Sequence, residues 1–125
     1  MKIFLVADDP LVRDALSAAL KENEHEVVCS AAAEPALSKA MLSVKPISEW
    51  VIDIDLGQGE MDGRALAEQV RRLWPQAGII YVTGNPLLLD GRPMTDRERV
   101  CIKPCDIGQL TSLLDELAGA ASALP

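Results

Sequence analysis

The chain has 125 residues, 49% hydrophobic and 25% charged, the composition of one ordinary globular domain. Twelve Lys and Arg against 19 Asp and Glu leave a net charge of −7, so phosphate backbones repel it and nucleic-acid binding is not expected. No apolar run approaches the roughly 20 residues that span a bilayer, and Met1 to Ala7 meet Asp8-Asp9 too soon for a signal peptide, so the cytoplasm is the expected compartment.

Aromatic residues make up only 3% of the chain, which predicts an aliphatic core. Ile3 to Ala7 is a continuous apolar run and reads as a strand covered on both faces. It ends on Asp8-Asp9 before Pro10, with Pro suited to the first helical position and Asp able to cap the free amides. The helix that follows places Leu11, Val12, Ala15, Leu16, Ala19 and Leu20 on one stripe. Val27 to Ser30 reads as a second strand. Ala31 to Ser43 reads as a second helix, with Pro35 near its start and Leu37, Ala40 and Met41 inward, and Pro46 closes it.

Trp50 to Ile52 form the third strand, which stops on Asp53 and enters a glycine-rich loop with Gly57, Gly59 and Gly63. Asp62-Gly63 opens a third helix that buries Leu66, Ala67, Val70 and Leu73 and ends at Pro75. Ile79 to Val82 form the fourth strand, landing on Thr83-Gly84. Pro86, Gly91 and Pro93 then break the chain, leaving at most a turn or two of a short or irregular fourth helix around Leu87 to Asp90. Arg99 to Ile102 form the fifth strand, ending on Lys103-Pro104. Asp106 caps a final helix carrying Ile107, Leu110, Leu113, Leu114 and Leu117. Residues 119–125 are expected to fray, which puts the domain in residues 1–118. Strands alternating with helices predict an α/β doubly wound, five-stranded parallel sheet with helices on both faces.

Cys29, Cys101 and Cys105 cannot all pair and show no CxxC spacing, so all three are read as reduced and structural. His25, the single histidine, lies in a polar turn and is expected to have a surface role.

The chemistry is carried by the strand ends. In an open α/β sheet, ligands bind outside the carboxyl ends of the strands. Here those ends bear Asp8-Asp9, Asp53, Thr83 and Lys103, each of which alone has a bland reading as a cap, a turn or a solvated side chain. Crowded carboxylates repel by on the order of 4 kcal/mol at 4 Å and intermediate dielectric, so a cation must offset them. Mg²⁺ suits such oxygen donors and keeps several of its waters. Lys103 adds a fixed positive charge, Thr83 a hydroxyl, and Gly84 an open backbone. Such a set suits phosphoryl transfer, which needs positioning and charge neutralisation. A carboxylate can itself be the nucleophile, and Asp53, central in the sheet, is the natural candidate. In that reading Mg²⁺ bridges Asp9, Asp53 and the phosphate, while Asp8 acts through a water.

Asp8-Asp9, Asp53, Thr83 and Lys103-Pro104 together resemble the receiver domain of two-component response regulators, across nearly the whole chain. The resemblance implies a flavodoxin-like fold with strand order 2-1-3-4-5. It further implies that Asp53 takes a phosphoryl group from a sensor histidine kinase or histidine phosphotransfer protein. Asp8, Asp9, Asp53 and the main-chain carbonyl of Asp55 would serve Mg²⁺, and Thr83 and Lys103 would bind the phosphoryl oxygens. With nothing following the receiver, the chain is expected to be a single-domain phosphoprotein that signals by docking to a downstream protein partner.

Three features depart from the family pattern. Val100 stands where an aromatic switch residue is usual. The loop from Asp53 to Gly63 is about two residues longer than usual, with Gly57 where Pro is common. The fourth helix is interrupted. With Val100, a smaller side-chain switch and more rearrangement of residues 85–98 are expected. Two other readings compete. Asp53-Ile54-Asp55 also resembles the DxD of haloacid-dehalogenase-type phosphatases, although these place it on the first strand of a longer chain. A pseudo-receiver serving only as a docking module is the other, against which the complete Asp/Asp/Asp/Thr/Lys set argues.

Overall fold

The alternation of apolar runs and helical stripes produces alternating strands and helices. A computed structural model describes the chain except residues 55, 57–60, 86–93 and 123–125, and except the side chains of residues 120–122. The strands are β1 (Lys2–Val6), β2 (Glu26–Ser30), β3 (Glu49–Asp53), β4 (Gly78–Thr83) and β5 (Glu98–Ile102). All pair in parallel, in the order β2-β1-β3-β4-β5. The helices described are α1 (Pro10–Glu22), α2 (Ala33–Met41), α3 (Gly63–Leu73) and α4 (Ile107–Ser122). Helical backbone thus runs past residue 118, where fraying is expected. The turn or two of helix expected around Leu87 to Asp90 lies outside the described residues.

Side-chain alternation along the strands splits the core into two layers. On one face Phe4, Val6, Trp50, Ile52, Ile79 and Tyr81 pack with Ala33, Ala36 and Ala40 of α2 and Leu66, Ala67 and Val70 of α3. On the other, Ile3, Leu5, Val51, Ile80 and Val82 pack with Leu16 and Leu20 of α1 and Leu110, Leu114 and Leu117 of α4. The few aromatic residues are not spread through an aliphatic core but gathered in the first layer. There Phe4 stacks on Trp50 with ring centres 4.8 Å apart, and Trp50 stacks on Trp74 at 5.8 Å. No described helix is long and apolar enough to cross a membrane.

The helical faces are narrower than their stripes predict. Leu11, Val12 and Ala15 are exposed, and α1 buries Leu16, Ser17 and Leu20. Met41 also points to solvent, because the alanines of α2 let that helix sit close to the sheet on Ala33, Ala36 and Ala40. Leu73, at the last turn of α3, is exposed where an inward position is expected. His25 is half-buried rather than a surface group, its Nδ1 enclosed with no hydrogen-bond partner among the described residues. Burial, then the nearby terminal ammonium, holds its imidazole below the usual value.

Candidate functional site

Asp53 is the last residue of β3, in register with Val82 of β4. Thr83 pairs with Ile102, so Lys103 follows one step beyond the end of β5. This register brings three of the expected groups to one edge. Asp53 is 4% exposed, and the Lys103 ammonium reaches both of its carboxylate oxygens, at 3.2 and 3.1 Å. The main chain is tied down around them. Ile54 N–H donates to the Val82 carbonyl at 3.0 Å, and Lys103 N–H donates to the Thr83 carbonyl at 2.9 Å. A buried carboxylate with a charge-assisted donor reaching both oxygens is held in a fixed orientation.

The other expected groups are arranged less simply. Asp8 is half-buried just beyond β1. Asp9 is exposed, and its carboxylate caps α1 by accepting from Leu11 N–H at 2.9 Å and Val12 N–H at 3.4 Å. The Thr83 hydroxyl closes a turn with Asn85, accepting from its N–H at 3.0 Å and donating to its carbonyl at 3.1 Å. Asp55, expected to offer a main-chain carbonyl, lies outside the described residues, as does most of the long loop that follows. Among the described residues no three acidic, histidine or cysteine side chains converge tightly enough to hold a metal by themselves. The donor set nevertheless suits Mg²⁺ in kind. It consists of hard carboxylate oxygens, and this ion needs only one or two of them beside its retained waters.

Two features escape a reading by residue type. Gly63, taken as a helix start, also packs directly on the backbone of Asp53 and Ile54. Asp62 caps α3 through Ala65 N–H at 2.8 Å, which fixes where that helix meets the site. The cysteines need a correction: Cys101 and Cys105 are joined as a disulfide, and only Cys29 is free. The turn at Lys103-Pro104 folds the chain back after β5 and brings their Cα atoms to 5.8 Å, a proximity that spacing alone does not reveal. The signal available was a Cys on either side of the key lysine.

Charged groups are also buried at the opposite, amino edge. Glu49 opens β3 fully enclosed, its Oε1 3.6 Å from Arg97 Nη2 and its Oε2 without a hydrogen-bond partner among the described residues. Burial pushes its carboxyl up to about 7, against the pull of Arg97. Arg97 itself donates to the carbonyls of Gln76 at 3.1 Å and Leu117 at 2.6 Å. Glu98 accepts from the Tyr81 hydroxyl and from Thr95. Burial raises the Glu98 carboxyl, but these bonds and Arg71 outweigh it and leave it below the usual range.

A doubly wound parallel sheet with an enclosed aspartate under a lysine at its carboxyl edge defines a flavodoxin-like domain with a charged carboxyl edge. The family model for the response regulator receiver domain matches residues 3–115, and the chain belongs to that family. Phosphorylation and Mg²⁺ are typical of the family, whose members work with histidine kinases or phosphotransfer proteins in two-component signalling. The transcriptional regulatory protein AruR of Pseudomonas aeruginosa is 34% identical over 87 residues, covering 67% of this chain and 34% of that protein. A putative NtrX-like response regulator of Rickettsia conorii is 29% identical over 85 residues, covering 68% of this chain and 18% of its own length. The chain therefore spans a minor part of these relatives. Among solved structures, a response regulator receiver protein from Sinorhizobium medicae superposes with TM-score 0.86 at 22% identity, covering 97% of this chain and 96% of that one. Vibrio cholerae chemotaxis protein CheY4 superposes with TM-score 0.76 at 19% identity, covering 93% and 97%. These likenesses are of fold.

Proposed function

We propose that this domain accepts a phosphoryl group on Asp53 from a phosphohistidine of a sensor kinase or phosphotransfer protein. An Asp53 carboxylate oxygen attacks phosphorus as the P–N bond breaks, and the imidazole nitrogen leaves with the electron pair. The product is an acyl phosphate, which the domain itself later releases to water. The observation that carries this reading is the Lys103 ammonium lying on both oxygens of the enclosed Asp53. That cation is placed where phosphoryl charge arrives, and preorganised charge of this kind supplies most of the assistance such a transfer needs.

Thr83, at the neighbouring strand end, offers its hydroxyl to a phosphoryl oxygen in exchange for its turn with Asn85. Asp8, Asp9, Asp53 and the main-chain carbonyl of Asp55 would hold Mg²⁺, which supplies neutralising charge to the phosphoryl oxygens when bound. The added group carries nearly two negative charges, so the signal passed to a downstream partner is a local change of charge and of the Thr83 and Lys103 contacts.

Incubation with acetyl phosphate and Mg²⁺, followed by intact mass, tests the reading. One added phosphoryl group is expected, lost in Asp53→Asn and lost on chelation of the metal. No adduct on the native chain, or an adduct that persists in Asp53→Asn, would overturn it.

A further inference from the structure

The Cys101–Cys105 disulfide encloses Ile102, Lys103 and Pro104 in a small covalent ring, and Lys103 is the residue that touches Asp53. We infer that this pair is a reversible redox site, and that closing the ring anchors Lys103 and so tunes phosphoryl uptake at Asp53. The inference rests on the reading of Asp53 as phosphoacceptor.

The two cysteines differ in a way that suits this role. Cys101 is 3% exposed within β5, paired in register with Val82, so its position is set by the sheet. Cys105 is half-buried in the turn before α4 and reachable from solvent. The separation of their Cα atoms, 5.8 Å, lies within the span a disulfide bridges without moving the backbone. Cys29 stands on β2, at the other edge of the sheet from β5, and takes no part.

Lys103 explains why a tether at this point matters. Its side chain is 40% exposed, and its backbone is held to the sheet through Lys103 N–H and the Thr83 carbonyl at 2.9 Å. A covalent link across the turn narrows the backbone conformations of Lys103, and so the range of positions from which its side chain reaches Asp53. Restricting a positioning group before the encounter lowers the entropy it must lose when the phosphoryl group arrives.

The oxidant is a low-molecular-weight disulfide such as oxidised glutathione. The Cys105 thiolate attacks one of its sulfurs, the reagent S–S bond breaks, and one thiolate leaves and takes up a proton. The Cys101 thiolate then displaces the second thiol from the mixed disulfide. The protein pair loses two electrons and two protons, the reagent gains them as two thiols, and excess thiol reverses the exchange. In reducing compartments, protein disulfides are commonly of this transient, sensing kind.

The full chain carrying Cys29→Ser, which removes intermolecular pairing, is equilibrated in graded ratios of reduced and oxidised glutathione. Alkylation and intact mass then report the Cys101–Cys105 bond. Initial uptake from acetyl phosphate with Mg²⁺ is compared between the two forms. The oxidised form is expected to take up phosphate faster by about threefold or more. Adding Cys105→Ser should give the reduced rate at every glutathione ratio. Failure to form the bond at any ratio, or equal rates in both forms while both are phosphorylated, overturns the inference. If neither form is phosphorylated, the reading of Asp53 fails instead, and amide exchange across residues 103–106 decides on the tether. Protection that does not change between redox states overturns it.

Discussion

Gly63, the first residue of α3, lies so close to Asp53 that a Cβ there would stand 2.3 Å from the Asp53 carbonyl oxygen and 2.7 Å from the Ile54 Cα. Both contacts are backbone, so neither can swing aside. Gly63 N–H also donates to the Ile54 carbonyl at 3.3 Å, which locks the start of α3 onto the end of β3. Gly63→Ala should therefore cost about 1–3 kcal/mol through overpacking, more than the helix propensity Ala returns. It should also slow phosphoryl uptake, because Asp53 shifts with its main chain. Urea unfolding together with acetyl-phosphate kinetics checks this, and native stability in the variant would contradict the close packing.

Lys103→Met keeps the length of the side chain and removes its charge. Uptake by Asp53 should fall by about a hundredfold or more, the scale seen when a preorganised electrostatic group is lost. Lys103→Arg should recover part of the rate, since a guanidinium can still reach both carboxylate oxygens. Equal rates for Met and Arg would show that position 103 acts through shape, not charge.

Asp9 can be separated into its two roles. Asn caps helices about as well as Asp, so Asp9→Asn should leave stability within about 0.5 kcal/mol of native while Ala costs about 1 kcal/mol. Both variants remove a carboxylate and should weaken the Mg²⁺ dependence of phosphorylation alike. A magnesium titration of uptake, set beside thermal unfolding, reads the two effects independently. An Asn variant with native magnesium dependence would limit Asp9 to capping.

Glu49 predicts a pH dependence of stability unrelated to the site. Its folded carboxyl is raised to about 7 from 4.5. The folded state thus holds a proton that the unfolded chain has already lost, and stability falls as pH rises between these values. The stabilisation is fully present below about 4.5 and gone above about 7, with an upper size of about 3 kcal/mol. Glu49→Gln should flatten this slope, seen as a denaturation midpoint that changes little between about pH 5 and pH 8 while the native midpoint falls. An unaltered slope would assign the pH dependence to other groups.

Much of the site is legible because its parts stand at strand ends. Asp53, Thr83 and Lys103 each follow a short apolar run, and a parallel sheet carries all such ends to one edge. The narrower faces of α1 and α2 were not legible. Leu11, Val12, Ala15 and Met41 fit the helical period, yet how close a helix sits to its sheet decides how wide a stripe is covered. Glu49 was hidden as well. Nothing local marks it as enclosed, but the absence of a side chain at Gly78 leaves the space its Oε2 fills.

Local pattern by itself determined the element order, the parallel sheet and the residues at its carboxyl edge, because hydrophobic period and strand-end position are properties of short stretches. Only the tertiary structure decided that Lys103 rests on both oxygens of Asp53, that Gly63 abuts Asp53, and that Cys101 meets Cys105. Those are distances across turns and between elements, set by packing, and no spacing along the chain encodes them.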